Sequence, residues 1–172
     1  MNWKNQKLED NEKMKFDCIN NQFVELKIIG YQFPEILDDE WDSNWLNVYI
    51  NVKSIKKYWN VTDPAITTFE LRSLIYWLKN ISENKIIKNR NMNFTEPNIS
   101  FQLMNEFGSD IKRIKINFRM EFSPLKKGTE CDIELTANNT QLKNYAEKLE
   151  YELSEYPERC TEKINTIGWI YE

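Results

Sequence analysis

Residues 22–33, 46–52 and 58–62 alternate between apolar and polar side chains with a period of two. This period is typical of a β-strand that buries one of its faces. A proline interrupts a sheet because it has no backbone N–H to donate. We therefore predict three strands, with Pro34 ending the first and Pro64 ending the third.

Two short sequences predict the starts of helices. The Thr67 hydroxyl can accept a hydrogen bond from the backbone N–H of Glu70, whose carboxylate can accept one from the N–H of Thr67, and this reciprocal pair is a capping box. Apolar residues then recur at helical spacing, which predicts a helix to about Ser82. Asn138 caps a second pattern of this kind, and Pro157 closes it.

The second half of the chain carries further segments with a period of two, which predict strands over residues 92–96, 99–103, 113–122 and 131–135. One face of the longest of these strands is polar and strongly basic, with Arg113, Lys115 and Arg119. We expect this face to be solvated and to pair with acidic residues on the neighbouring strand, such as Asp132 and Glu134.

The predicted order is strands, helix, strands, helix, which does not match the regular alternation of a parallel sheet. It predicts an α+β fold, a predominantly antiparallel β-sheet of about six to seven strands, curled or two-layered, with two packed α-helices. Residues 1–20 are polar, and we expect an N-terminal arm that Trp3 or Phe16 ties down. Residues 21–172 are predicted to form a single α+β domain.

Composition narrows the possible chemistry. The chain of 172 residues has no His, four Gly and a net charge of −4. Without His there is no Ser–His or Cys–His nucleophile and no imidazole ligand for a transition metal. Few glycines argue against a phosphate-binding loop, and the negative charge does not favour nucleic acid or anionic lipid. We expect a binding protein with no catalytic residues, no metal and no cofactor.

The N-terminal sequence and the cysteines indicate the cellular compartment in which we expect the protein. The chain shows no apolar stretch typical of a secretory signal and no apolar run of membrane-spanning length. Cys18, Cys131 and Cys160 are odd in number and widely spaced, which predicts reduced thiols. We therefore expect a cytoplasmic protein that does not bind a membrane. Whether it is a monomer or a dimer stays open.

An acidic stretch follows the first predicted strand and consists of Asp38, Asp39, Glu40, Trp41 and Asp42. One interpretation is a solvated loop, and another is a surface that attracts a basic partner. A third is a cation site, in which Asn44 would add a further oxygen ligand. The stretch lacks the glycine and the distal glutamate of a known calcium loop.

Two other groups of residues leave alternatives open. A carboxylate pair for glycoside hydrolysis could be drawn from Asp63, Glu70, Glu96 and Glu121. A sugar- or peptide-binding face could be drawn from Trp41, Trp45, Trp59 and Trp77, which are otherwise core residues.

An ordered series of short segments carries a family resemblance. The segments occupy residues 30–34 (GYQFP), 38–46 (DDEWDSNWL), 62–64 (TDP), 68–71 (TFEL) and 94–101 (FTEPNISF). Together they resemble the WapI-type immunity proteins of bacteria, over about residues 23–157. Such proteins remain in the cytoplasm, carry no catalytic residues, and bind the C-terminal domain of a secreted or wall-associated toxin. In the name-giving system that domain is a tRNA-cleaving nuclease.

The resemblance implies a protein partner, a basic toxin domain such as a nuclease, without direct contact to nucleic acid. Local charge density is our own reason for assigning the partner-binding site to Asp38, Asp39, Glu40, Trp41 and Asp42. The alternatives are a small-ligand or carbohydrate-binding domain and a carboxylate-dependent hydrolase.

Overall fold

The computed structural model of the protein describes residues 14–105, 108–119 and 130–160. In this part of the chain, two antiparallel sheets each contain four strands in sequence order. The first sheet consists of β1 (Lys15–Cys18), β2 (Gln22–Tyr31), β3 (Trp45–Lys53) and β4 (Tyr58–Thr67). The second consists of β5 (Asn91–Asn93), β6 (Ile99–Leu103), β7 (Ile111–Arg119) and β8 (Glu130–Asn138). Helix α1 (Thr68–Ser82) connects the sheets, and α2 (Asn139–Ser154) follows β8.

Both sheets and both helices contribute to one hydrophobic core. Phe16 of β1 packs edge-on against Phe101 of β6, with ring centroids 5.9 Å apart. Trp59 of β4 packs in the same way against Phe118 of β7 at 5.3 Å. These aromatic contacts join the two sheets and contribute beyond the area that they bury. The predicted α+β class, with antiparallel strands and two packed helices, is confirmed.

The start of α1 matches the sequence prediction. The Thr67 hydroxyl accepts from the Glu70 backbone N–H at 3.3 Å, and a Glu70 carboxylate oxygen accepts from the Thr67 N–H at 3.0 Å. The helix ends at Ser82, as its apolar spacing predicted. Asn138 caps α2 with Gln141 as its reciprocal partner, and each side chain accepts from the backbone N–H of the other residue.

Strand β4 corrects the prediction that Pro64 ends the third strand. The strand continues to Thr67, and Pro64 lies opposite Asn47, where the register shifts by a β-bulge. Among the described strands, β4 is also an end strand of its sheet, so a missing N–H on its outer side breaks no pairing. Proline is tolerated at bulges and edges for this reason. Because β4 runs directly into the Thr67 cap, the strand fixes where α1 begins.

The chain near the N-terminus differs from the predicted arm. Residues 15–18 form β1, and Phe16 is fully buried there, which agrees with its expected role in holding this segment. The Leu26 backbone N–H also donates to the Met14 carbonyl at 3.0 Å. Residues 1–13 of the arm and residues 161–172 of the predicted domain lie outside the described residues.

Candidate functional site

The acidic stretch forms an ordered loop between β2 and β3. It ends in a 3-10 turn, Asp42–Asn44. One Asp39 carboxylate oxygen accepts hydrogen bonds from the backbone N–H groups of Trp41 and Asp42, at 2.8 and 2.7 Å. This is the local side-chain-to-backbone bonding that Asp favours in turns. The Asp39 carboxylate therefore shapes the loop while it remains at the surface.

Asn44 connects this loop to two distant parts of the chain. Its side chain is fully buried. Its Nδ2 donates to the carbonyls of Glu40 and Arg159 at 2.9 and 2.8 Å. Its Oδ1 accepts from the Thr68 hydroxyl at 2.7 Å and from the Arg159 backbone N–H at 2.9 Å. The oxygen that the sequence offered as a cation ligand is thus used in holding the loop to α1 and to the segment after α2.

Arg159 fixes the first half of the loop. Its guanidinium donates to the carbonyls of Phe33, Pro34 and Ile36, at 3.4, 3.2 and 3.1 Å. It also lies over the Tyr31 ring, 3.4 Å from the centroid. All three carbonyls accept from one guanidinium nitrogen, Nη1, while the planar face of the guanidinium stacks on an aromatic ring. A positive charge is thereby held against a loop rich in carboxylates.

The structure brings the five predicted site residues together on this loop. Asp38, Asp39 and Asp42 are exposed, whereas Glu40 and Trp41 are partly buried. The Trp41 ring packs edge-on against Phe69 in the first turn of α1, with centroids 5.2 Å apart and an interplanar angle of 81°. We call these five loop residues the acidic surface. It combines three exposed carboxylates with an aromatic side chain that packs on α1.

Sequence reasoning missed the residues that hold the acidic surface in place. Arg159 lies more than 120 residues from the carbonyls that it bonds, and no local pattern marks it. The Cys160 thiol adds a hydrogen bond to the Asp38 carbonyl at 3.3 Å. Arg159 and Cys160 lie two and three positions after Pro157, which the sequence marks only as the end of a helix. The Arg-Cys pair carried no signal because its partners are backbone carbonyls.

A comparison with protein families matches residues 15–157 to the immunity protein WapI-like family. The chain belongs to the WapI-like immunity protein family. This confirms the resemblance found in the sequence. The search of curated proteins and the search of solved structures gave no match.

The family match covers every helix and strand that the structure describes. It begins at Lys15, the first residue of β1, and ends at Pro157, after α2. The acidic surface lies inside the matched region. Arg159 and Cys160 lie just beyond it, so the segment that clamps the loop follows the region that defines the family.

The carboxylates considered for hydrolysis have other surroundings in the WapI-like protein. Glu70 is buried, and it accepts from Thr67 and, at 2.6 Å, from the Thr95 backbone N–H. Burial raises the pKa of Asp63, and the charge of nearby Glu96 raises it further. Glu121 lies outside the described residues. In the described ranges, no group of three or more His, Cys, Asp or Glu side chains has an arrangement that could hold a metal ion.

The tryptophans and the basic strand have mainly structural surroundings. Trp59 and Trp77 are buried in the core, and Trp41 and Trp45 are partly buried. On the basic face of β7, Arg113 bonds Glu134 at 2.6 Å and Lys115 bonds Asp132 at 3.0 Å. These pairs confirm the expected cross-strand partners.

Among the described residues, no helix combines the length and the apolar composition needed to cross a membrane.

Proposed function

We propose that this WapI-like protein is a non-catalytic, cytoplasmic immunity protein that neutralises a toxin domain by binding it through the acidic surface. Membership of the family supports an immunity function. The observation that supports the choice of surface is that Asp38, Asp39 and Asp42 are exposed on the same ordered loop as Trp41, whose ring packs on Phe69 of α1.

Charge favours a basic partner, such as a nuclease domain. A nuclease must present positive charge to the phosphates of its substrate. An inhibitor with an acidic surface is attracted to the same region, which raises the association rate and suppresses wrong partners. The chain has a net charge of −4, so its overall field adds to the local one.

The acidic surface is also rigidly supported. Asn44 donates to the Glu40 carbonyl of the loop and to the Arg159 carbonyl. Arg159 in turn donates to the loop carbonyls of Pro34 and Ile36. A surface that is already ordered loses little conformational freedom on binding, and this favours affinity. Trp41 adds an aromatic side chain next to acidic residues in the sequence, and tryptophan often dominates the binding energy of an interface.

The test is co-expression with the C-terminal domain of the nearest upstream large secreted protein in the same genome, scored by growth rescue and co-purification. The informative variant combines Asp38→Asn, Glu40→Gln and Asp42→Asn, and it leaves the Asp39 cap intact. We expect its affinity for the toxin domain to fall by at least about tenfold, mainly through slower association at low salt.

The matched control combines Asp110→Asn, Glu147→Gln and Glu155→Gln. These side chains are exposed in other parts of the fold, and the control changes the net charge by the same amount. We expect it to retain affinity and rescue. Unchanged affinity in the first triple variant would show that the toxin domain does not use the acidic surface. A toxic domain that is neither bound nor neutralised by the wild-type chain would contradict the immunity function for that toxin.

A further inference from the structure

A cleft of about 660 Å³ lies between the outer face of α1 and the segment that leads into β5. Trp77, Ile87 and Met92 line it and are 6%, 9% and 5% exposed. Tyr76 and Ile86 also line it, and they are 61% and 86% exposed. Apolar side chains with this exposure, beside an apolar cleft, are typical of a binding surface.

The wall formed by residues 86–92 is held in position. The Trp77 indole N–H donates to the Asn89 carbonyl at 3.1 Å, which ties this wall to α1. The Asn89 side chain accepts from the Asn91 backbone N–H at 2.9 Å. Arg90 Nε donates to the Leu103 carbonyl of β6 at 3.2 Å. The cleft is therefore preformed, and a ligand would not have to order it.

The charge of the cleft is opposite to that of the acidic surface. The side chains that line it include two cations, Arg72 and Lys88, and no carboxylate. Arg72 forms an ion pair with the nearly buried Glu158, which compensates its charge, so the positive charge of the rim is that of the exposed Lys88. An apolar cleft with a positive rim complements a ligand that combines apolar groups with a carboxylate.

The neighbouring strand favours an extended polypeptide over a compact small molecule. Asn91 and Met92 of β5 line the cleft. Among the described residues, β5 is an end strand that pairs only with β6. The outer edge of such a strand offers backbone groups to an added strand, while pockets beside it accept alternate side chains.

One face of α1 connects the cleft with the acidic surface. Phe69 contacts Trp41, whereas Arg72 and Tyr76 line the cleft. Arg72 follows Phe69 by three positions, and Tyr76 follows Arg72 by four. Residues at this spacing share one side of a helix. At 1.5 Å per residue, Phe69 and Tyr76 are about 10 Å apart along the axis. One protein partner can therefore cover both features.

We propose that this cleft binds an extended segment of the toxin polypeptide that carries apolar side chains and at least one carboxylate. The identity of the partner rests on the proposed immunity function, whereas the peptide chemistry follows from the cleft itself. The toxin then contacts two sites of opposite charge, and a basic protein that lacks the acidic segment binds more weakly. Specificity arises from the second contact.

The test uses a displayed library of random twelve-residue peptides, panned on the full-length immobilised protein. We expect selected peptides to share an acidic residue next to apolar ones. Their affinity, measured by fluorescence polarisation, should fall by at least about tenfold in the variant Ile86→Ser with Lys88→Glu. The matched control, Ile55→Ser with Lys57→Glu, changes exposed residues in the β3–β4 turn and should bind like the wild type.

The peptide result and the toxin result are separable. Selected peptides that bind both double variants equally, or that share no carboxylate, would overturn the peptide chemistry. A panning that selects no peptide would also overturn the proposed peptide binding, even if the protein rescues growth in the toxin co-expression test. If the peptides bind as expected but no toxin domain is neutralised, the immunity function fails and the cleft remains a peptide site. If the wild-type protein neutralises a toxin, the Ile86→Ser, Lys88→Glu variant should bind that toxin at least about tenfold more weakly. An unchanged affinity would show that the toxin does not bind this cleft.

Discussion

Asn44 and Arg159 are joined by two hydrogen bonds although 115 residues separate them. The Asn44 amide accepts from the Arg159 backbone N–H at 2.9 Å and donates to its carbonyl at 2.8 Å. The same side chain bonds Thr68 at the start of α1. A single buried amide therefore ties the acidic surface, α1 and the segment after α2 together.

Asn44→Ala should destabilise the protein by about 2–3 kcal/mol, because it leaves several buried polar groups without partners. The free energy of unfolding, from urea titrations, measures this. The control Asn60→Ala removes an exposed amide from β4 and should change stability by less than about 0.5 kcal/mol. Equal stabilities for the Asn44 variant and the wild type would show that the amide does not hold these segments together.

Glu152 of α2 should make stability depend on pH. Its carboxylate accepts from the Ile28 backbone N–H at 3.1 Å, yet burial raises its pKa above the usual value. The folded state therefore binds a proton at a higher pH than the unfolded state does. Linkage then requires this contribution to stability to increase as the pH falls through the raised pKa toward the ordinary value of 4.5.

The Glu152→Gln variant removes this titration. Between pH 7 and pH values near the ordinary glutamate pKa, the wild type should gain stability relative to Glu152→Gln as the solution becomes more acidic. Urea unfolding at a series of pH values measures the difference. The control Glu147→Gln changes an exposed carboxylate of the same helix. A constant difference between the wild type and Glu152→Gln, or one that changes in the opposite direction, would contradict the assignment.

Cys18 should resist alkylation in the folded protein. Burial raises the pKa of its thiol to about 12, and the charge of Asp17 adds to the effect. Since the thiolate is the reactive form, only about one thiol in ten thousand would be ionised at pH 8. Mass spectrometry after iodoacetamide treatment should show modification of Cys18 at least about a hundredfold slower than in the urea-unfolded chain. Equal rates in the two states would contradict the raised pKa.

Local patterns in the sequence predicted much of the fold. The Thr67–Glu70 capping box and the spacing of the following apolar residues predicted α1 to its last residue, Ser82. Such patterns succeed because capping and amphipathic periodicity act between residues a few positions apart. The candidate site was likewise located by a local concentration of carboxylates around Trp41.

The tertiary structure decided the features that depend on distant partners. Phe16 is buried because Phe101 and Tyr145 pack on its ring, at 5.9 and 5.0 Å, and this places β1 within a stretch that is polar in sequence. β4 continues through Pro64 because a β-bulge in β4 itself lies next to the proline, between the Asn47–Pro64 and Leu46–Ile66 pairs. Burial and strand pairing depend on which segments meet, and a local period does not encode that.

The sequence by itself determined the class of fold, the two helices, the family resemblance and the position of the acidic stretch. Only the tertiary structure showed that Arg159 clamps this stretch and that α1 connects it to a basic, apolar cleft. The reason is physical, because a guanidinium that bonds backbone carbonyls and a cleft between two separate segments leave no periodic signal in the chain.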